Sequence, residues 1–171
     1  MTRDELMGII EGAASDLRDN DAYLLEVNVS ERCIAHKFAE YINIRLKLHP
    51  DYNTVGYAVD CEYNRDGIDP KTIPRRFRSK DDDGKTYPYP DVVIHRRGAA
   101  GPNLLAVEIK LTSNVNIGDD VAYTKWKLDE YREHLKYQFS LYICFITGDV
   151  VGQMLDINPA APCYDALELI G

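Results

Sequence analysis

A chain of 171 residues, 45% of them hydrophobic and 28% charged, has ordinary globular composition. That excludes a disordered or fibrous class and suits one compact domain. The net charge of −8 argues against casual nucleic-acid affinity, because phosphate binding comes largely from Lys and Arg. A local basic stripe can nevertheless coexist with an acidic whole.

No apolar run approaches the ~20 residues of a membrane span. The start, MTRDELMGIIEG, carries acids and no long apolar stretch, unlike a secretory signal. The expectation is a cytoplasmic protein with no membrane association. Cysteines stand at 33, 61, 144 and 163 without a CxxC pair, and the histidines are scattered. No structural zinc site is expected, and the cysteines read as reduced and structural.

In chain order, Leu6, Ile9, Ile10, Ala13 and Leu17 recur at helical spacing and predict a helix over 2–17. A polar break follows at 19–23. A second helix is predicted over 30–47, with Ser30 as its N-cap and Pro50 past its end. Residues 55–63 are rich in β-formers and read as a strand. The stretch 64–88, punctuated by Gly67, Pro70, Pro74, Gly84 and Pro88, reads as a long loop. Two short apolar strands, 89–95 and 103–110, flank a Gly-rich connection suited to a hairpin. A third helix is expected over 119–138, with Val121, Leu128, Tyr131 and Leu135 on one face. A buried, central strand is expected at 140–147, a short strand at 150–156 and a short helix at 163–169. The whole reads as an α/β domain, its mixed central sheet flanked by helices.

The chemistry concentrates in Asp91, Glu108 and Lys110. Side chains alternate along a strand, so Glu108 and Lys110 share a face and Ile109 takes the other. Charges ending an apolar strand are costly unless they have partners. If His95 pairs with Leu104, Asp91 falls opposite Glu108, with Cβ atoms ~5 Å apart. Two such carboxylates repel, and a divalent cation between them resolves the conflict. An all-oxygen set favours Mg²⁺ or Mn²⁺ over zinc. Metal and lysine would then act together on water and a phosphodiester.

Tyr89-Pro90-Asp91 followed by Glu108-Ile109-Lys110 resembles the PD-(D/E)xK superfamily. The resemblance spans about 30–147 and implies a restriction-endonuclease-like core of order α-β-β-β-α-β. The helix at 2–17 would precede that core, and a strand and helix over 150–171 would extend it, in a single domain 1–171. It implies a Mg²⁺-dependent nuclease, Mn²⁺ substituting, acting on DNA in a defence, repair or mobile-element context. It also implies a site of Asp91, Glu108, Lys110 and Glu31, with the metal held by Asp91, Glu108, Glu31 and the backbone carbonyl of Ile109. Glu31 lies on the stripe of Ala35, Phe38 and Ile42, and an acid there also complements the helix dipole.

The basic run 71–80 offers Arg75, Arg76 and Arg78 around Phe77 for phosphate contact and stacking. The adjacent Asp81-Asp82-Asp83 balances it if the loop is merely solvated. Arg96 and Arg97 at the hairpin turn could add to a nucleic-acid surface. So could Lys125 or Lys127 on the third helix. His95 follows Asp91 by alternation, as a site neighbour or a packed strand histidine. Glu62, sharing a strand face with Asp60, is an outer candidate. The competing expectation is a catalytically silent nuclease-fold subunit or regulator acting through a protein partner. A component needing a trigger, or a homodimer, is equally compatible with the residues.

Overall fold

The computed structural model describes residues 1–74, 84–98, 101–113, 119–151, 154 and 163–171. Helix α1 (Arg3–Glu26) opens with a capping box between Thr2 and Glu5, which satisfies two N-terminal N–H groups reciprocally. It outruns the predicted 2–17. The polar break is only a kink at Asp21, whose φ of −133° leaves the helical range. Contacts across to the second helix hold this stretch: Tyr41 donates to Asp21 at 2.6 Å, and Arg45 grips Asp16 through two bonds of 2.5 and 2.7 Å. Tertiary anchoring outweighs weak local propensity here.

Helix α2 (Glu31–Leu46) starts at the predicted cap, Ser30, whose hydroxyl accepts from the Cys33 N–H. A single π-helical turn, Tyr52–Gly56, shortens the expected strand to β1 (Ala58–Cys61). The expected loop carries two-residue strands, β2 (Ile73–Pro74) and β3 (Lys85–Thr86), paired with each other. Then come β4 (Val92–His95), β5 (Asn103–Leu111), α3 (Asp119–Glu133), β6 (Tyr137–Phe145) and β7 (Tyr164–Ile170).

The main sheet has five strands in the order β1-β4-β5-β6-β7. Only the β5–β6 pair is parallel, and α3 is the crossover that parallel pairing demands. Strand β6 lies between two neighbours and is buried almost throughout, as its unbroken apolar run predicts. Alternation sorts the sheet's residues onto two faces. Val92, Ile94, Leu105, Val107 and Ile109 pack with α1 and α2. Val93, Ala106, Tyr142 and Cys144 pack with Leu128, Tyr131 and Leu135 of α3 and its C-terminal turn.

Two expectations for the C-terminal part are corrected. The segment 163–169 is the edge strand β7, antiparallel to β6. The helix-favouring Ala166, Leu167 and Glu168 yield to the open edge of β6, whose backbone groups need partners. Val150, Val151 and Met154, expected in a strand, are helical. None of the four cysteines is in a disulfide, and Cys144 and Cys163 are buried whereas Cys61 is exposed. Among the described residues, no helix is long and apolar enough to cross a membrane.

Candidate active site

Strand pairing runs Val92↔Val107, Val93↔Ala106 and Ile94↔Leu105. Extending that register one step puts Asp91 opposite Glu108, as expected, although the assumed pairing of His95 with Leu104 is replaced across a bulge by His95 with Asn103. Asp91 sits just before β4 begins, and its Oδ2 accepts the Ile109 N–H at 2.7 Å. Lys110, on the same strand face as Glu108, reaches Glu31 at the first turn of α2, with Nζ 3.0 Å from Oε1. The first residue of one helix and the ends of two strands therefore converge.

Glu108 is 2% exposed. A carboxylate so buried requires partners, and α3 supplies both. The Tyr131 hydroxyl donates to Oε1 at 2.7 Å, and the Lys127 ammonium rests on Oε2. Lys127 and Tyr131 are four residues apart, so one helix face presents both. Sequence reading placed Tyr131 on the buried face and named Lys127 only as one of two basic candidates. Lys125, the other of the two, is paired with Glu168 of β7 at 2.7 Å.

Electrostatics tie the cluster together. Burial pushes the Asp91 carboxyl up to about 7, with the Glu108 charge adding to the rise. The Ile109 N–H opposes the rise, Glu31 adds to it and Lys110 again opposes it. Burial alone would depress the Lys110 ammonium. The bond to Glu31 and the charges of Glu31, Asp91 and Glu108 outweigh it, and the pKa is raised.

Among the described residues, no three His, Cys, Asp or Glu side chains are grouped closely enough to hold a metal ion by themselves. Two carboxylates, Asp91 and Glu108, are near enough that the charge of one raises the pKa of the other. In an extended strand the N–H and C=O of one residue point to the same edge. The Ile109 carbonyl therefore opens toward Asp91, on the side where its N–H is bonded. An all-oxygen set of this size fits Mg²⁺, which keeps several waters and commonly takes one or two carboxylates. Glu31 is paired with Lys110, and its charge also reaches Asp91.

The remaining candidates are placed as follows. A β-bulge between Ile94 and His95 shifts the register, and His95 bonds Asp60 through Nε2 at 2.8 Å, not the Asp91 cluster. Its ring packs on Tyr63 with centroids 4.3 Å apart. Arg97 also grips Asp60, and this guanidinium, with His95 second, holds the Asp60 carboxyl below its usual range despite burial. His95 thus belongs to a separate, internally paired group at the hairpin end. Glu62 has a positive φ of 48° and pairs with Arg32 at 2.9 Å, while its N–H donates to the Asp91 carbonyl at 3.4 Å. Arg96 is exposed. Arg75, Arg76 and Arg78 lie outside the described residues.

No protein-family model matches the chain, nor does any curated protein or solved structure.

Proposed function

We propose that the chain is a metal-dependent nuclease of the PD-(D/E)xK type, hydrolysing phosphodiester bonds in DNA with Mg²⁺. One observation carries the reading: Asp91 and Glu108 oppose each other across paired strands, with Lys110 two residues on, held by Glu31. The order α2-β1-β4-β5-α3-β6 supports it, being that of a restriction-endonuclease-like core.

Each residue has a distinct task in this reading. Asp91 and Glu108, with the Ile109 carbonyl, hold the cation. Tyr131 fixes Oε1 of Glu108, so Oε2, where Lys127 now rests, is the oxygen available to a metal. The bound ion supplies charge neutralisation of the phosphate and a more acidic water. Lys110 stays protonated at neutral pH, because its neighbours raise its pKa. Its task in this reading is to orient the attacking water and stabilise developing charge. Glu31 aims that ammonium, and Lys127, once displaced from Oε2, is positioned to meet a phosphate oxygen.

The test is a cleavage assay on duplex DNA, single-stranded DNA and RNA with Mg²⁺, Mn²⁺ or EDTA. Cleavage should require the divalent ion. Lys110→Ala should lower its rate by about 10²-fold or more while the circular dichroism spectrum stays unchanged. Persistent cleavage in Lys110→Ala would sink the mechanism.

A second reading rests on Lys127. Its ammonium on Glu108 already supplies positive charge where a metal would sit, as a catalytically silent relative acting through a protein partner would require. Titration calorimetry with Mn²⁺ separates the two. Heat that is lost in Asp91→Asn supports the enzyme, and no heat in either protein supports the silent subunit.

A further inference from the structure

Four aromatic side chains stand out as strongly exposed among the described residues: Tyr23, Tyr87, Tyr89 and Tyr123. Three of them lie within four residues of a member of the candidate centre or its clamp, Lys127. Tyr87 and Tyr89 lie in the segment that delivers Asp91 to the mouth of β4. Tyr123 lies one helical turn before Lys127 on α3.

The link from Tyr123 to the centre is short. Lys127 Nζ lies 5.7 Å from the Tyr123 ring centroid and rests on the Glu108 carboxylate. The Tyr123 ring stacks on Trp126, with centroids 5.4 Å apart and planes at 29°. Trp126 in turn packs against the apolar layer beneath α3. The indole thus anchors a two-ring stack whose outer member, Tyr123, is 43% exposed beside the lysine.

An exposed ring next to a cation matches a nucleotide, whose base stacks and whose phosphate pairs. It does not match an intact duplex, in which neighbouring bases already cover both faces of each base. Single strands and splayed ends leave those faces open.

We propose that Tyr123 and Trp126 form a base-stacking platform beside Asp91, Glu108 and Lys110, so that the nucleic acid engaged there is single-stranded or splayed. The proposal rests on the nuclease reading for its phosphate side. It specifies the strand form, which the carboxylates and Lys110 leave undetermined.

Trp126 is the chain's one tryptophan, so its fluorescence reports the platform directly. The experiment titrates the full chain, in EDTA, with a twelve-nucleotide oligothymidylate and with a matched hairpin duplex. Saturable quenching by the single strand is expected, with affinity roughly ten-fold or more above that for the duplex. Tyr123→Ala should lose roughly ten-fold in affinity, Tyr123→Phe should retain it, and Tyr23→Ala should bind like wild type. The proposal is overturned by absent quenching, equal affinity for the duplex, or undiminished binding in Tyr123→Ala. Because EDTA removes turnover, the outcomes separate. Quenching without any divalent-dependent cleavage upholds the platform and defeats the nuclease reading. Cleavage of duplex without quenching does the reverse.

Discussion

At Asp91 the cost of the cluster falls on one carboxyl. Its pKa stands near 7 in the fold against 3.8 in an unfolded chain, through burial first and the Glu108 charge second. Between those values the folded state binds more protons, so stability falls as pH rises from about 3.8 to about 7 and levels off above. Without divalent ions, urea unfolding of wild type should show that slope and Asp91→Asn should lack it. Lys71 gives the opposite case. Its ammonium is buried against the Tyr137 hydroxyl at 3.0 Å and the Asn103 side chain at 3.2 Å. Burial lowers its pKa from 10.5 to about 8. The unfolded chain then binds the extra proton, so stability rises with pH between about 8 and 10.5. Subtracting a Lys71→Met profile from wild type should isolate that rise; parallel profiles would contradict it. At this scale the nearness of Asp91 to Glu108 and of Lys110 to the same strand end was legible in the sequence, because strand alternation is a local rule. The bond from His95 to Asp60 was not, because it depends on the register of β1 against β4, Ala58 with His95 and Asp60 with Val93, across 35 residues of chain.

Among the elements, α2 matters most to the site, since Glu31 is its first residue and Ser30 its cap. Replacing a Ser cap with Ala costs about 1 kcal/mol, which lowers Tm by about 2–4 °C in a chain of this size. Ser30→Ala should show that drop in calorimetry. It should also reduce cleavage, because Lys110 loses its fixed anchor. An unchanged Tm would mean the hydroxyl does not hold the helix start. Helices α2 and α3 were readable because each has a wide apolar stripe. Strand β7 was not: its Ala, Leu and Glu favour a helix in isolation, and only the vacant edge of β6, remote in sequence, decides otherwise. The extension of α1 beyond Leu17 likewise depends on Asp16 and Asp21 finding Arg45 and Tyr41 on another helix.

For the whole molecule, if Asp91 and Glu108 hold the proposed cation, it binds only the folded chain and so links metal to global stability. At a hundredfold excess over Kd the gain is about 2.7 kcal/mol, which at this chain length raises Tm by about 5–10 °C. Mn²⁺ should produce the rise in wild type, EDTA should reverse it, and Asp91→Asn should be indifferent to both. The element order through β6 was legible because apolar periodicity and Gly- and Pro-rich breaks delimit it. The five-strand extent of the sheet was not, because it depends on β7. Sequence separation adds a temporal dimension to the centre. The bonds from Ile109 to Asp91 and from Lys127 and Tyr131 to Glu108 span 18, 19 and 23 residues, whereas Lys110 to Glu31 spans 79. Short loops close early and long ones late. The acidic pair and helical clamp therefore close shorter loops than the Lys110–Glu31 bond, which waits on the docking of α2, so folding is expected to build the centre from its local half outward.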